Sequence, residues 1–439
     1  MTKLIWKLFK IVLTLLLAFL MYVVIGGVVP FLHHPDVSQT KKEAVESTQF
    51  YSDSAGPDRA TIIEDNEEAL KMRLRVIKDA KKTLILSTFD FRSDDAGKDI
   101  LAALLNAADR GVKVEIFADG FNSIIQMENN DYFYALSSNE NIKIIIYNQV
   151  NILIPWNGLG RMHDKYVIAD DSLYILGGRN TFGYFLGDYA GHKNYDRDVL
   201  VYNTGSKDSS IYQIKDYYKK ITSQKCCSVF HYNESLGEKN SVKKAEQELK
   251  NRYESLENKY DKFLAENYDY KANTYETNKI NLLSNPTSLY SKQPTVYYGL
   301  MYLAKNAKKE VKIHTPYIIC NDYMYNELKN IKVPTTIMTN SAENNGNIFG
   351  AVDYLNHKKN IPFEIQAFTN VESLIAYGKM NHIELLLISQ KAMCRQVQEL
   401  EIGKIVILSE GVHPPDLDRY PSVYKYQASS DVVREVMAC

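Results

Sequence analysis

The sequence predicts an α/β protein of two related halves, each a mixed sheet flanked by helices, behind one N-terminal transmembrane helix. Three observations predict it. Apolar strands alternate with amphipathic helices from about Asp58 onward, one phrase recurs at a fixed offset, and a single uncharged apolar run precedes both. The 439 residues, 45% hydrophobic and 24% charged, suffice for two or three domains of roughly 150 residues and exclude a disordered or disulfide-dense chain. A formal net charge of -1 argues against a dedicated nucleic-acid binder, so no nucleic-acid partner is expected.

The apolar run is Ile11 to Val29, 19 positions without a charge. As a helix it spans a hydrocarbon core of about 30 Å. Lys3, Lys7 and Lys10 precede it, whereas Lys41 and Lys42 beyond it are offset by Glu43 and Glu46. The positive-inside bias then puts the N-terminus in the cytoplasm and the rest outside, a single-pass protein of the cell membrane. A cleaved signal peptide is the competing reading, with Gly26-Gly27 its one weak cut site.

Beyond the anchor, Ala69 to Ala80 and Ile100 to Arg110 have helical periodicity, and Thr83 to Phe89, Val112 to Phe117 and Ile142 to Tyr147 are apolar, β-branched strands. The phrase Asp79-Ala80-Lys81-Lys82, followed by a strand, returns as Asn306-Ala307-Lys308-Lys309 at an offset of 227 residues (79 to 306). Each copy leads into a helix and a further strand, the later one being Thr335 to Thr339, which indicates duplication. Between the copies, Val242, Ala245, Leu249, Tyr253, Leu256, Tyr260 and Phe263 form one apolar helical stripe, expected to pack on a domain surface or, less simply, to make a dimer contact. The expected division is an anchor (1–32), a first half (58–225), a charged helical connector (226–275) and a second half (276–439).

Chemistry concentrates in Arg161-Met162-His163-Asp164-Lys165, the strands Tyr166 to Ala169 and Leu173 to Leu176, and Gly177-Gly178-Arg179-Asn180. His163 and Lys165 are two apart and share one face of an extended strand. Gly177-Gly178 lets the backbone approach a substrate closely, and Asn180 offers an amide. The set suits a phosphodiester: a neutral imidazole attacks phosphorus, Lys165 neutralises the non-bridging oxygens and Asn180 adds a hydrogen bond. No cofactor is needed and no metal site is expected, since His192, Asp196 and Asp198 match no ligand spacing. Asp170, in the turn between the strands, is suited to fixing the loop rather than moving protons.

At these residues the sequence resembles the phospholipase D superfamily, whose signature is His-x-Lys-x4-Asp followed by Gly-Gly/Ser-x-Asn. His163, Lys165, Asp170, Gly177, Gly178 and Asn180 match it at the family spacing. The order of anchor and duplicated domain is similar to the membrane-anchored cardiolipin synthase-like branch, and the resemblance covers about Asp58 to Asp353. It implies two halves about a pseudo-twofold axis, a covalent phosphohistidine on His163, and a second His from the other half that protonates the leaving group. It also implies an acidic residue that orients the nucleophile, for which Asp198 is the first candidate and Asp196 the second. The implied partner is membrane phospholipid.

The second half departs from the pattern. In Tyr377-Gly378-Lys379-Met380-Asn381-His382-Ile383-Glu384, Lys379 and Glu384 keep the Lys-x4-acid spacing, but Tyr377 stands where His belongs. Lys379 is the candidate second substrate-binding lysine. Alternatively His382 is the imidazole, and then Glu384 replaces Lys and Ser389 replaces Asp. From about residue 361 the pattern weakens, as after a frameshift, and His413 to Tyr426 reads as irregular coil. A homodimer pairing two copies of His163 is one way to complete such a site. The rival functions are an impaired lipid-binding or scaffold protein and, below it, a nuclease of the same superfamily.

Overall fold

A computed structural model describes residues 2–231, 234–261, 263–264, 268–340, 370–409 and 417–424. The pattern break near residue 361, and residues 413–416 and 425–426 of the expected coil, lie outside the described residues. The chain forms two compact units, Met1–Val296 and Tyr297–Cys439.

The first unit begins with α1 (Thr2–Val28), an unbroken helix, uncharged from Ile11 onward, whose side chains are almost all exposed, as those of a lipid-facing helix are. After the short α2 (Gln39–Glu46) come β1 (Asp58–Ile63), α3 (Asn66–Asp79), β2 (Thr83–Thr88), α4 (Asp95–Asp109) and β3 (Lys113–Asp119). Asp65 and Asp94 cap α3 and α4 by accepting from first-turn backbone N–H groups, which starts each helix several residues before its apolar periodicity becomes readable. Then follow α5 (Gly120–Gln126), α6 (Asp131–Ser137), β4 (Ile142–Tyr147), the hairpin β5 (Tyr166–Ala169) and β6 (Leu173–Gly177), β7 (Asp198–Asn203), α7 (Ile211–Thr222), β8 (Cys227–Val229), α8 (Glu234–Gly237), α9 (Asn240–Lys259) and β9 (Tyr275–Glu276).

These strands make one nine-stranded sheet in the order β8-β4-β3-β2-β5-β6-β7-β1-β9. β2, β3 and β4 are parallel, and from β2 outward through β5, β6, β7, β1 and β9 every pairing is antiparallel. Alternation along each strand divides the core. Val114, Ile116, Ile144 and Ile146 face α3, α4, α6 and α9, whereas Phe117, Ile145, Tyr147 and Ile168 face α7. The 226–275 stretch, expected as a connector, supplies β8, α9 and β9. The α9 stripe Val242, Ala245, Leu249, Tyr253 and Leu256 is buried against α4 and α6, and Arg252 pairs with Asp99 beneath it.

In the second unit, α10 (Thr295–Lys305), β10 (Val311–His314), α11 (Asp322–Lys329) and β11 (Thr335–Met338) repeat the order of α3, β2, α4 and β3, and β10 and β11 pair in parallel as β2 and β3 do. Next come α12 (Val371–Gly378), β12 (Ile383–Ser389), α13 (Arg395–Gln398), β13 (Ile402–Ser409) and β14 (Ser422–Tyr424), the strands forming a separate parallel sheet. The described second-unit strands number two and three in these sheets, against nine in the first unit.

Leu249 is fully buried in the α9 contact. Leu249→Ala is expected to lower the unfolding free energy of the full chain by about 2–5 kcal/mol, read as a shift in urea midpoint. A loss below about 1 kcal/mol would show that α9 is not integral to the first unit.

Candidate active site

The switch from parallel to antiparallel pairing decides where the side chains meet. The carboxyl ends of β2, β3 and β6 and the amino ends of β5 and β7 all fall on one edge of the sheet, where open α/β sheets place ligands. Met162 and Arg161 enter this edge on a buried carboxylate. Asp119, at the end of β3, accepts from the Met162 backbone N–H (3.0 Å) and the Phe121 N–H (2.9 Å) and pairs with Arg161 (3.3 Å). Ser87 donates to the Asp164 carbonyl (3.3 Å), and Tyr217 donates to the Asp164 carboxylate (2.6 Å). The chain around His163 is therefore held on both sides.

The His163 ring packs on Phe89, with centroids 4.6 Å apart, and keeps an edge open to solvent. Lys165 is buried; its Nζ donates to the His163 carbonyl (2.8 Å) and lies 3.0 Å from His163 Nδ1. Partial burial, followed by the charge of Lys165, pushes the imidazole down to about 4, so it is neutral near pH 7. Burial pushes Lys165 down to about 8 against the opposing pull of Asp164, Asp196 and Asp90, so the ammonium persists at neutral pH. An ammonium donating to Nδ1 leaves the ring proton on Nε2 until another acceptor, such as a phosphate oxygen, draws Lys165 away. Asn180 Oδ1 accepts from the Asp90 backbone N–H (3.2 Å), which leaves its amide N–H groups to donate. Asp90 itself pairs with Arg92 (2.7 Å).

The two acidic candidates separate. Asp198, the first choice from sequence, is fully buried. Its Oδ2 accepts from Arg73 (2.9 Å) and Arg179 (3.1 Å), which hold the carboxyl below its ordinary range although burial opposes them. Arg179 also donates to the Ile63 carbonyl (3.2 Å), the Glu64 carbonyl and Asn66 (3.2 Å). Asp198 thus belongs to an ion-pair network in the core. Asp196, the second choice, is the one whose field reaches Lys165; burial pushes its carboxyl up, and Asp198 adds to this. Gly177 and Gly178 are required by these carboxylates as much as by any substrate, because a Cβ on Gly177 would overlap the Asp198 carboxylate and one on Gly178 that of Asp196.

Asp170 does not come to the imidazole. It closes the β5–β6 turn with φ +54° and accepts from the backbone N–H groups of Lys81 (2.9 Å), Lys82 (2.8 Å) and Thr83 (2.8 Å), at the far end of β5 from Lys165. Lys379 is exposed at the C-cap of α12 in the second unit. Sequence reasoning missed Asp119, Phe89, Asp90 and Arg92. Their one local signal is position: each ends or follows a parallel strand at its carboxyl end.

Parts of the chain are similar to known proteins. Residues 74–221 match the family described as "Cardiolipin synthase, PLD-like domain", so the chain carries a phospholipase D-like domain there. Cardiolipin synthase B of Salmonella typhi is 31% identical over 142 residues, 32% of this chain and 34% of the relative. The chain thus spans about a third of that relative's length. An uncharacterized Helicobacter pylori protein is 27% identical over 309 residues, 64% of this chain and 59% of that one. Among solved structures, phosphatidylserine synthase of Haemophilus influenzae covers 74% of this chain and 72% of its own, with 14% identity and a TM-score of 0.46.

The two carboxylates differ in a measurable way. Asp198→Ala strands two buried guanidinium groups and is expected to cost about 3–5 kcal/mol of stability, whereas Asp196→Ala costs about 1 kcal/mol or less. Urea unfolding of each full-length variant compares them, and equal losses would contradict the assignment.

Proposed function

We propose that this chain is a membrane-anchored phosphodiesterase or phosphatidyltransferase that acts on phospholipid through a covalent intermediate on His163. The observation that carries the reading is the exposed His163 imidazole, whose Nδ1 lies 3.0 Å from the ammonium of the buried Lys165. A phosphodiester entering this edge draws Lys165 onto a non-bridging oxygen, with the Asn180 amide as a further donor. Release of Nδ1 frees that nitrogen to take the ring proton. Nε2 then attacks phosphorus, the bond to the leaving alcohol oxygen breaks, and that oxygen takes a proton from a solvent water, leaving hydroxide. Attack by water or an alcohol on the phosphohistidine releases phosphatidate or a new phosphodiester and frees the imidazole. The family match and the relatives named cardiolipin synthase B support transfer between lipids. The helix α1 supports the anchor, and Lys3, Lys7 and Lys10 support a cytoplasmic N-terminus with the first unit outside.

Tyr377, standing where a second imidazole is expected, favours a second reading: lipid binding with little or no turnover. Purified full-length protein in mixed micelles with labelled phosphatidylglycerol separates the two. Release or transfer of headgroup, and an acid-labile phosphoryl label on protein, are expected and are both lost in His163→Ala. Activity equal in the wild type and His163→Ala would remove the enzyme reading.

The pH profile has a definite sign. His163 attacks only when neutral, so kcat/KM falls on the acid side near pH 4 rather than near 6.5. Lys165 works only when charged, so kcat/KM falls again above about pH 8. Lys165→Ala is expected to lower turnover about 10²- to 10³-fold. An acid limb at pH 6.5 would argue against the desolvated imidazole.

A further inference from the structure

The segment between β4 and the site contains no charged residue from Ile144 to Gly160, and its tip, Asn151-Ile152-Leu153-Ile154-Pro155-Trp156, is apolar. Ile152 and Leu153 are 59% and 66% exposed. The neighbouring α5, also uncharged, exposes Phe121, Ile124 and Ile125, and its first residue, Gly120, packs on the Tyr147 and Asn148 carbonyls. We propose that this loop, with α5 beside it, is inserted into the bilayer that α1 crosses, so that the mouth of the His163 site opens on the lipid headgroups. The inference rests on the anchor in the proposed function and adds the surface by which the first unit meets the membrane.

Three observations select a bilayer as the occupant. The loop is seated on α1 itself. Tyr22 donates to the Leu153 carbonyl (2.9 Å), and Gly26 packs against Pro155, whose Cγ lies 2.7 Å from where a Cβ would stand. With the apolar run ending at Val29, Tyr22 lies seven residues, about 10 Å, inside it. The loop therefore reaches the depth typical of interfacial segments, about 5–10 Å.

Part of the loop's backbone is also satisfied within the chain. The N–H groups of Leu153, Ile154, Asn157, Gly158 and Gly160 donate within the loop, and the Asn157 and Gly160 carbonyls accept from the Asn148 amide, each at 2.7 Å. Groups paired in this way need no water, as an apolar phase requires. Finally, the loop ends two residues before Met162. Arg161 binds the Asn148 carbonyl (2.6 Å) and Asp119, which couples loop to site.

The chain has two tryptophans, Trp6 and Trp156, so Trp6→Phe leaves a single reporter in the loop. Full-length Trp6→Phe, reconstituted in phosphatidylcholine–phosphatidylglycerol vesicles, is compared with and without bromine near the top of the acyl chains. Bromolipid is expected to quench Trp156 emission at least about twofold, with iodide in water having little effect. Iodide quenching without bromine quenching would put the loop in water. Shielding from both would mean that protein, such as a second copy of the chain, covers it. Either result overturns the proposal. Trp156→Phe reports Trp6 in the same vesicles. Loss of its bromine quenching would instead overturn the anchor, and the readout needs no catalytic turnover.

Discussion

Two guanidinium groups, Arg73 from α3 and Arg179 from the bend after β6, share one buried carboxylate, Asp198 at the start of β7. Charges this far from water persist only where hydrogen bonds replace hydration. Here the carbonyls of Ile63, Glu64 and Ala69 and the Asn66 amide oxygen accept further bonds from the two guanidinium groups. The network joins the end of β1, α3, the Gly177-Gly178 bend and the entry to β7 at one point. The positions of Asn180 and Asp196 follow from it, since both flank the residues it holds. An apolar cluster of equal volume could fill the space without fixing the direction in which the bend leaves the sheet.

On this framework the chemistry arises from uneven solvation. Lys165 is buried beside an imidazole that keeps one open edge, and the same desolvation that neutralises the imidazole weakens the ammonium's hold on its proton. The nearby carboxylates of Asp164, Asp196 and Asp90 keep that ammonium charged at neutral pH. An anion at this edge would supply negative charge to the partly dehydrated ammonium, so an anionic ligand fits it better than a neutral one.

Much of the fold was legible because local periodicity and strand composition survive folding. Ile142–Tyr147 and Tyr166–Ala169 read to the residue, and the parallel pairing of β10 with β11 repeats that of β2 with β3, as the repeated phrase suggested. Helix starts were less legible, since α3 and α4 begin at capped polar turns that carry no apolar signal. The choice between Asp196 and Asp198 was not legible at all. Both follow the same motif, and what separates them is Arg73, 125 residues away from Asp198 in sequence. Asp170 was readable as a turn residue, but its three backbone donors come from Lys81, Lys82 and Thr83, at the entry to the neighbouring strand β2 rather than in the hairpin.

By itself, the sequence determined the α/β class, the apolar helix, and the pairing of His163 with Lys165, because each depends on residue type at short spacing. Tertiary structure decided which carboxylate faces the lysine, that both glycines make room for carboxylates, and that α9 belongs to the first unit. It also seated the uncharged loop before the site on α1. Burial and pairing between distant segments set these outcomes, and such forces leave no local period in a chain.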